Sequence, residues 1–371
     1  MRVIPIIKPQ STFCNLRCEY CFYRETNQEE KVAPMKQSVL EALIRETQTL
    51  GDPFVEYDWL GGEPLLAGLD FFHEVVRIQQ HYRQNGQVII NKIQSNGVLV
   101  DESWVDFFQK NGFQVGISID GPARCHDRYR KDDKGQGTHQ RVLEAIRLLK
   151  RAKTVRWGTI TVVSRANVES PEEVYRFFLS EGIHKMAFNH VKAFDRHTGS
   201  PLEFSPTPEE YVNFMKTLFD FWLADDDPRI DIRQFHSIMQ GILGGRYRLC
   251  TYAGQCYRFF SIDYNGNVYP CEDDTPTEEI CFGNITEGWQ AILNSNKYQQ
   301  HRQLISDIRK ECQQCKWYEV CRGGCSRNYR LYIPGVEHKN YLCEAEKSIF
   351  EYVFQQMQKV LPDLKLLEQG N

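Results

Sequence analysis

Three cysteines near the start of the chain have the spacing of a metal site. Cys14, Cys18 and Cys21 occupy an eight-residue window, "CNLRCEYC", with three and then two residues between them. Three thiolates under-coordinate almost any metal that cysteine favours. Either a fourth ligand comes from elsewhere in the chain, or one coordination position stays open for chemistry.

The composition restricts the classes of protein to which the chain can belong. Its 371 residues are 41 % apolar and 25 % charged, the balance of a globular protein with a large domain and a smaller one. The net charge of −4 argues against nucleic-acid binding. Because no run approaches the ~18 apolar residues of a membrane helix, we expect a cytoplasmic protein with no nucleic-acid or membrane partner.

The chain contains thirteen cysteines, which is an unusually high number. Thiols in the cytosol are kept reduced, so clustered cysteines there bind metals or do redox chemistry more often than they form disulfides. An odd number also fits a complete set of disulfides poorly. The cysteines therefore predict metal binding.

Short β-branched runs alternate with helical segments as far as residue 191. The predicted strands are 3–9, 55–60, 87–94, 114–120, 155–163 and 185–191, and the helices between them are 34–50, 69–84, 101–110, 138–152 and 170–181. Asp101, Thr138 and Ser170 stand where N-caps belong. Six βα units predict an α/β fold with a whole or partial barrel. An open doubly wound sheet is the rival, and periodicity does not separate the two.

Polar and glycine-rich motifs follow several of the predicted strands. "GGEP" (61–64) follows the second strand, "SNG" (95–97) the third and "DGP" (120–122) the fourth, while the three-cysteine loop follows the first. In a βα barrel the active site lies at the carboxyl ends of the strands. These motifs are therefore expected on one face.

A second cysteine pattern begins where the alternation stops, near residues 235–245. Its eight members are Cys250, Cys256, Cys271, Cys312, Cys315, Cys321, Cys325 and Cys343. Cys-x2-Cys-x5-Cys-x3-Cys would pass for zinc ribbons, and iron–sulfur clusters are the alternative. We expect a domain over 1–235, a cysteine-rich domain over 236–343, and a C-terminal helix over 344–371.

"CNLRCEYCFY" resembles the signature of the radical S-adenosylmethionine (SAM) superfamily. The resemblance implies a partial (β/α)6 barrel similar to a TIM barrel, with Cys14, Cys18 and Cys21 holding three corners of a [4Fe–4S] cluster. In that family SAM binds the fourth iron, and an electron from the cluster cleaves it to methionine and a 5′-deoxyadenosyl radical. The open coordination position would then be the functional feature.

The same resemblance assigns residues to SAM. Gly61, Gly62 and Glu63 match the positions that hold the SAM ammonium, and Tyr23 matches the aromatic residue near adenine. The positions that contact the ribose and carboxylate are matched by Ser118, Asp120 and Arg130. A polar strand end with a turn at "DGP" explains Ser118 and Asp120 equally well.

The C-terminal pattern resembles the SPASM extension of peptide-modifying radical SAM enzymes. It implies two auxiliary [4Fe–4S] clusters, one on Cys250, Cys256, Cys271 and Cys325, the other on Cys312, Cys315, Cys321 and Cys343. Three clusters with SAM would be the full set of cofactors. A peptide or protein substrate and a one-electron donor such as flavodoxin or ferredoxin would be the partners.

The resemblance is closest to anaerobic sulfatase-maturating enzymes, which oxidise Cys or Ser to formylglycine, and extends to maturases that crosslink peptides. Two positions depart from the sulfatase pattern: Leu60 replaces a Gln before "GGEP", and Glu272 replaces the Asp thought to deprotonate the substrate. Glu272 keeps a carboxylate and is the expected catalytic base. Asp273, its neighbour, is an alternative base. The remaining alternative is that these acidic residues form a loop with no part in catalysis.

These departures shift our expectation towards a C–C crosslink of the cyclophane type in a ribosomally synthesised peptide. Formylglycine formation in a sulfatase is the first alternative, and another peptide modification is the second. A non-catalytic iron–sulfur electron carrier or a zinc protein is the alternative from a different class. It would leave "GGEP" beside the three-cysteine loop without a purpose.

Overall fold

The computed structural model describes residues 2–23, 34–191, 201–245, 249–271, 280–329 and 340–366. Within these ranges the strands are β1 Ile4–Ile7, β2 Phe54–Trp59, β3 Val88–Ser95, β4 Gln114–Ser118, β5 Arg156–Val163, β6 Lys185–His190, β7 Asp231–Ile232, β8 Phe259–Ile262, β9 Asn267–Tyr269 and β10 Gly283–Asn284. The helices of the same ranges are α1 Gln37–Thr49, α2 Leu69–Tyr82, α3 Glu102–Asn111, α4 Ala123–Tyr129, α5 His139–Arg151, α6 Pro171–Ser180, α7 Pro208–Asp225, α8 Arg233–Ile242, α9 Cys250–Ala253, α10 Trp289–Asn294, α11 Asn296–Cys312, α12 Tyr318–Cys321 and α13 Cys343–Val360.

The chain divides into two compact units. The first comprises Met1–Ser118, Arg130–Trp157 and Tyr257–Gln303. Its strands lie in the order β10-β9-β8-β1-β2-β3-β4. Strands β8 and β1 to β4 are parallel, whereas β9 and β10 add antiparallel pairs at one edge. The order β1 to β4 follows the chain without reversal, as in a βα barrel, whereas a doubly wound sheet reverses at a switch point.

The second unit comprises Ile119–Tyr129, Gly158–Cys256 and Leu304–Asn371. Its strands β5, β6 and β7 are parallel and adjacent in that order. The Gln234 side chain of α8 accepts from the Phe188 amide and donates to the Phe188 carbonyl of β6, at 3.1 and 2.6 Å. Helix α13 packs on α7 and α8, so the C-terminal helix belongs to this unit's core.

The predicted helix starts are correct in position and differ in how they are capped. The Asp101 carboxylate accepts from the Trp104 amide at 3.0 Å and caps α3. Thr138 and Ser170 also occupy N-cap positions, but neither side chain bonds its own helix. The Thr138 hydroxyl instead donates to the Arg130 carbonyl at 3.3 Å. At Thr138 a hydrogen bond to a residue outside the helix takes the place of a side-chain cap.

A cluster of aromatic rings fixes the carboxyl end of β2. Trp59, the last residue of that strand, is fully buried and packs edge-on against Phe72 at 5.5 Å between ring centroids. Phe72 packs in the same way on Trp104 at 5.6 Å. The Trp59 indole N–H donates to the Asn91 side chain at 2.9 Å. The strand end that carries "GGEP" is therefore rigidly placed.

The domain boundaries expected from the sequence stay predictions. Residues 233–242, where the boundary was expected to begin, form α8 rather than a linker. Among the helices in the described ranges, none is long and apolar enough to cross a membrane.

Candidate functional site

The three-cysteine loop is fastened to the end of β2 by backbone hydrogen bonds. The Gly62 amide donates to the Ser11 carbonyl at 3.0 Å, and the Glu63 amide donates to the Phe13 carbonyl at 2.9 Å. Two motifs that are separated by about forty residues in sequence therefore form a single structural element. The position of the Cys14 segment depends directly on the position of "GGE".

Both glycines of this motif are required by close approach of the backbone. A Cβ on Gly61, whose φ is +111°, would stand 2.7 Å from the Ser11 carbonyl oxygen. A Cβ on Gly62 would stand 1.9 Å from the Phe13 carbonyl oxygen. Because these contacts are to backbone, no rotation of a side chain can relieve them.

Glu63 is a fully buried carboxylate held by three donors. It accepts from the Leu65 amide at 3.1 Å, the Ser95 hydroxyl at 2.9 Å and the Asn96 amide at 2.7 Å. Burial raises the pKa of Glu63 to about 7, although these hydrogen bonds act in the opposite direction. A positive charge nearby would stabilise the ionised form of this buried carboxyl group.

Asn96 connects this carboxylate to the first cysteine. Its side-chain amide lies 3.6 Å from the Cys14 sulfur and donates to the Asn15 side chain at 2.8 Å. We had noted "SNG" only as a strand-end motif, without assigning a role to Ser95 or Asn96. Their position at the end of β3 could have indicated a place beside "GGEP", because neighbouring parallel strands end on the same edge of a sheet.

The donor chemistry of the cysteine loop fits an iron–sulfur cluster. Burial raises the pKa of the Cys14 thiol, and the charges of Glu63, Cys18 and Cys21 act in the same direction. In the part of the chain that the structure describes, no three His, Cys, Asp or Glu side chains have the geometry of a single metal ion. A cubane cluster binds each thiolate on a different iron, and three adjacent thiols that interact electrostatically suit it.

The other residues assigned to SAM lie in different surroundings. Tyr23 is buried, with the Lys8 ammonium 4.6 Å from its ring centroid, and the Arg130 guanidinium lies 5.4 Å from the Tyr20 ring. Ser118, at the end of β4, accepts from the Gln94 side chain at 2.9 Å. Their contacts with SAM stay predictions.

Asp120 belongs to the second unit and has a structural function there. Its side chain is 1 % exposed, and its carboxylate accepts from the Val162 amide of β5 at 2.9 Å. Its carbonyl accepts from the Asn167 side chain at 3.1 Å. The strand-end alternative therefore accounts for this residue within the unit, and its contact with SAM stays a prediction.

Cys321 is the most strongly affected of four neighbouring C-terminal cysteines. Burial raises the pKa of the Cys321 thiol most, followed by the charges of Glu346, Cys343, Cys312 and Cys315. These four cysteines are the predicted ligands of one auxiliary cluster, and the Tyr329 hydroxyl lies 3.3 Å from the Cys312 sulfur. Their grouping as the ligands of one cluster stays a prediction.

The other predicted set is distributed along the chain. Cys250 begins α9, Cys256 begins a 3-10 turn and Cys325 follows α12, all in the second unit, whereas Cys271 follows β9 in the first. This grouping stays a prediction. The expected base Glu272 and its neighbour Asp273 lie outside the described residues.

Comparison with known proteins identifies the two domains. The Radical SAM superfamily profile matches residues 9–178, and the profile of the SPASM iron–sulfur cluster-binding domain matches residues 250–325. The predicted cofactors, SAM and [4Fe–4S] clusters, are confirmed by these matches. The predicted fold class is confirmed as well, since a solved structure of the same architecture superposes closely.

That structure is native anSMEcpe with bound AdoMet and Cp18Cys peptide, with a TM-score of 0.87, 32 % identity and coverage of 97 % of this chain and 99 % of the other. Two relatives with similar sequences support it. The cysteine-type anaerobic sulfatase-maturating enzyme of Clostridium perfringens is 33 % identical over 97 % of this chain and 98 % of its own length. The serine-type enzyme of Bacteroides thetaiotaomicron is 32 % identical over 94 % and 88 %.

These comparisons decide between the functions expected from the sequence. They support a radical SAM maturase of the sulfatase type, which was our alternative, and give no support to the cyclophane crosslink that we had favoured. Leu60 and Glu272 had received too much weight against the similarity of the whole chain. The protein belongs to the family of anaerobic sulfatase-maturating enzymes within the radical SAM superfamily.

Proposed function

We propose that this protein oxidises a cysteine or serine side chain of a sulfatase to formylglycine. The observation that carries the proposal is the similarity over nearly the whole chain to the Clostridium perfringens enzyme, at 33 % identity. The similarity to a structure that holds AdoMet and a peptide supports the same class of substrate. A peptide or unfolded segment of a protein would be the substrate.

The reaction balances with one hydrogen atom, one proton and one electron removed from the substrate. A reduced cluster on Cys14, Cys18 and Cys21, with SAM bound, would supply a 5′-deoxyadenosyl radical able to take a hydrogen atom from the substrate Cβ. Loss of the thiol or hydroxyl proton and of one electron then leaves a thioaldehyde from cysteine or an aldehyde from serine. Water converts the thioaldehyde to the aldehyde and releases hydrogen sulfide.

The chain's own residues have distinct tasks in this scheme. Gly61 and Gly62 let the backbone approach the cysteine loop, and Glu63 would help to hold the SAM amino group. Glu272 receives the substrate proton, and its longer side chain must still reach hydrogen-bond distance. The auxiliary clusters that the C-terminal cysteines would hold would supply an acceptor for the substrate electron, and flavodoxin or ferredoxin would be the external one-electron donor.

Leu60 is the observation that favours the crosslinking alternative. It directly follows β2, and its amide donates to the Ile7 carbonyl at 2.9 Å, so its backbone is held at the strand end. An apolar side chain there cannot make the polar contact of the Gln found in the sulfatase pattern. If substrate contact at this position decides the reaction, a ribosomal peptide with aromatic residues would be the better substrate.

The two functions differ in the chemistry of their products. Anaerobically reconstituted protein is incubated with dithionite, SAM and three peptides, which carry a target cysteine, a target serine, or aromatic residues alone. Formylglycine formation predicts aldehyde capture by a hydrazide probe on the first or second peptide. Product without aldehyde reactivity, with an altered fragmentation pattern, supports the crosslink instead.

The role of Glu272 is tested in the same assay. We expect Glu272→Gln to cleave SAM but to form little aldehyde, because only the proton acceptor is lost. Glu272→Asp is the matched control, since it restores the residue of the sulfatase pattern. Full aldehyde formation by Glu272→Gln would remove Glu272 from the mechanism.

A further inference from the structure

A chain of buried polar side chains lies beside the predicted ligands of an auxiliary cluster. The Asn328 side-chain amide donates to the Asn340 side-chain oxygen at 2.7 Å, and the Asn340 amide donates to the Glu346 carboxylate at 3.2 Å. All three residues are buried, with 2, 5 and 6 % of their surfaces exposed. A buried carboxylate is costly unless hydrogen bonds satisfy it, as the Asn340 amide does here.

Asn340 also positions the start of helix α13. Its side-chain oxygen accepts from the Leu342 amide at 3.0 Å, and its carbonyl accepts from the Cys343 amide at 2.9 Å. The Glu346 amide donates to the Leu342 carbonyl at 2.8 Å. The first turn of the helix therefore holds Cys343 and the Glu346 carboxylate in one fixed arrangement.

Gly324 shows how close this carboxylate lies to Cys321. A Cβ built on Gly324 would be 3.6 Å from the Cys321 sulfur, 3.6 Å from a Glu346 carboxylate oxygen and 2.6 Å from the Asn340 side-chain nitrogen. The sulfur and the carboxylate oxygen are thus at most about 7 Å apart. An added Cβ would clash with the Asn340 side-chain nitrogen and would be in ordinary contact with the sulfur and the carboxylate oxygen.

The buried Glu346 carboxylate therefore lies within about 7 Å of the Cys321 sulfur. A negative charge held that close in a poorly solvated interior disfavours an added electron on a cluster bound there. Net charge and hydrogen bonding near the sulfurs are known to set iron–sulfur reduction potentials.

We propose that Glu346 is a positioning residue that lowers the reduction potential of the cluster held by Cys312, Cys315, Cys321 and Cys343. The cluster then releases an electron taken from the substrate instead of retaining it. The inference rests on the predicted ligand set and goes beyond the proposed function, because it concerns the potential of one cluster and not the reaction catalysed.

The test is a redox titration of the cluster-loaded protein, followed by electron paramagnetic resonance. We expect Glu346→Gln to shift the midpoint potential of one auxiliary cluster upward and to leave the signal of the SAM-binding cluster unchanged. Glu346→Asp keeps the charge and should stay near the wild-type potential. An unshifted potential in Glu346→Gln would overturn the proposal.

Glu344→Gln is the matched control on the same helix. Glu344 adjoins Cys343 in sequence, but its side chain is 86 % exposed and pairs with Lys347 at 2.9 Å. Solvent screens its charge, so its removal should shift the potential far less. An equal shift in Glu344→Gln would contradict a specific effect of the buried carboxylate.

Two further measurements test the assumptions behind this proposal, namely the predicted ligand set and the proposed function. Cys321→Ala should lose the cluster whose potential responds to Glu346, and retention of the same signal would overturn the proposal through its ligand set. If Glu346→Gln shifts the potential as expected but the wild-type protein makes no aldehyde, the proposed function fails while this inference stands.

Discussion

The substitution Gly62→Ala tests how the cysteine loop and β2 are held together. An added Cβ would stand 1.9 Å from the Phe13 carbonyl oxygen and 2.4 Å from its carbonyl carbon. Ordinary contact begins at 3.4 Å, so the two backbone segments must separate by about 1.5 Å. Interiors are too tightly packed to absorb such a movement without further rearrangement.

The separation removes two hydrogen bonds and displaces the site. The amides of Gly62 and Glu63 would lose their acceptors, at a cost of about 1–3 kcal/mol in the free energy of unfolding. The displacement also exceeds the ~0.5 Å that a working site tolerates. Since a misplacement of about 1 Å can reduce a rate ~100-fold, we expect SAM cleavage to fall by at least about that factor.

The assay is 5′-deoxyadenosine formation from SAM and dithionite by anaerobically reconstituted protein. Gly68→Ala is the matched control, because Gly68 has φ +85° and nothing within 4 Å of an added Cβ. That variant experiences backbone strain without a clash and should keep most of its SAM cleavage. A Gly62→Ala protein that cleaves SAM within a few-fold of the wild type would refute the reasoning.

Three further predictions follow from the same site. Because burial raises the pKa of Glu63 to about 7, SAM affinity measured by calorimetry should rise as pH increases towards 7 and the carboxylate ionises. An unchanged pH dependence of SAM affinity in Glu63→Gln would speak against this. Cys14→Ala should abolish 5′-deoxyadenosine and lose about four irons, whereas Cys125→Ala, at a buried lone thiol, should do neither; equal losses would refute the ligand assignment. Asp120→Ala orphans the Val162 amide and should lower the free energy of unfolding in urea by about 1–3 kcal/mol; no change would exclude a structural role.

Local patterns were sufficient to predict the βα part of the fold. The run predicted as a strand at 87–94 is β3, Val88–Ser95, and the run at 155–163 is β5, Arg156–Val163. Short runs rich in β-branched residues identify such strands without tertiary information. The Cys14, Cys18 and Cys21 spacing likewise predicted its chemistry, because the ligand requirement is expressed within one loop.

Long-range contacts could not be predicted in the same way. Strand β8 pairs in parallel with β1, from Ile4 opposite Phe259 to Ile7 opposite Ile262, and no local pattern encodes such a partner. The Ser95 and Asn96 contacts with Glu63 span more than thirty residues. Beyond residue 245 the cysteine spacing indicated ligands but not the helices that place them, such as α11, whose polar sequence shows little apolar periodicity.

The fate of a deuterium label tests the account most directly. A sulfatase-derived peptide whose target cysteine carries deuterium on Cβ is incubated with the reconstituted protein, SAM and dithionite. The account predicts deuterium in 5′-deoxyadenosine and an aldehyde on the same peptide in equal amounts. Unlabelled 5′-deoxyadenosine, or labelled 5′-deoxyadenosine with a peptide that a hydrazide probe cannot capture, would contradict it.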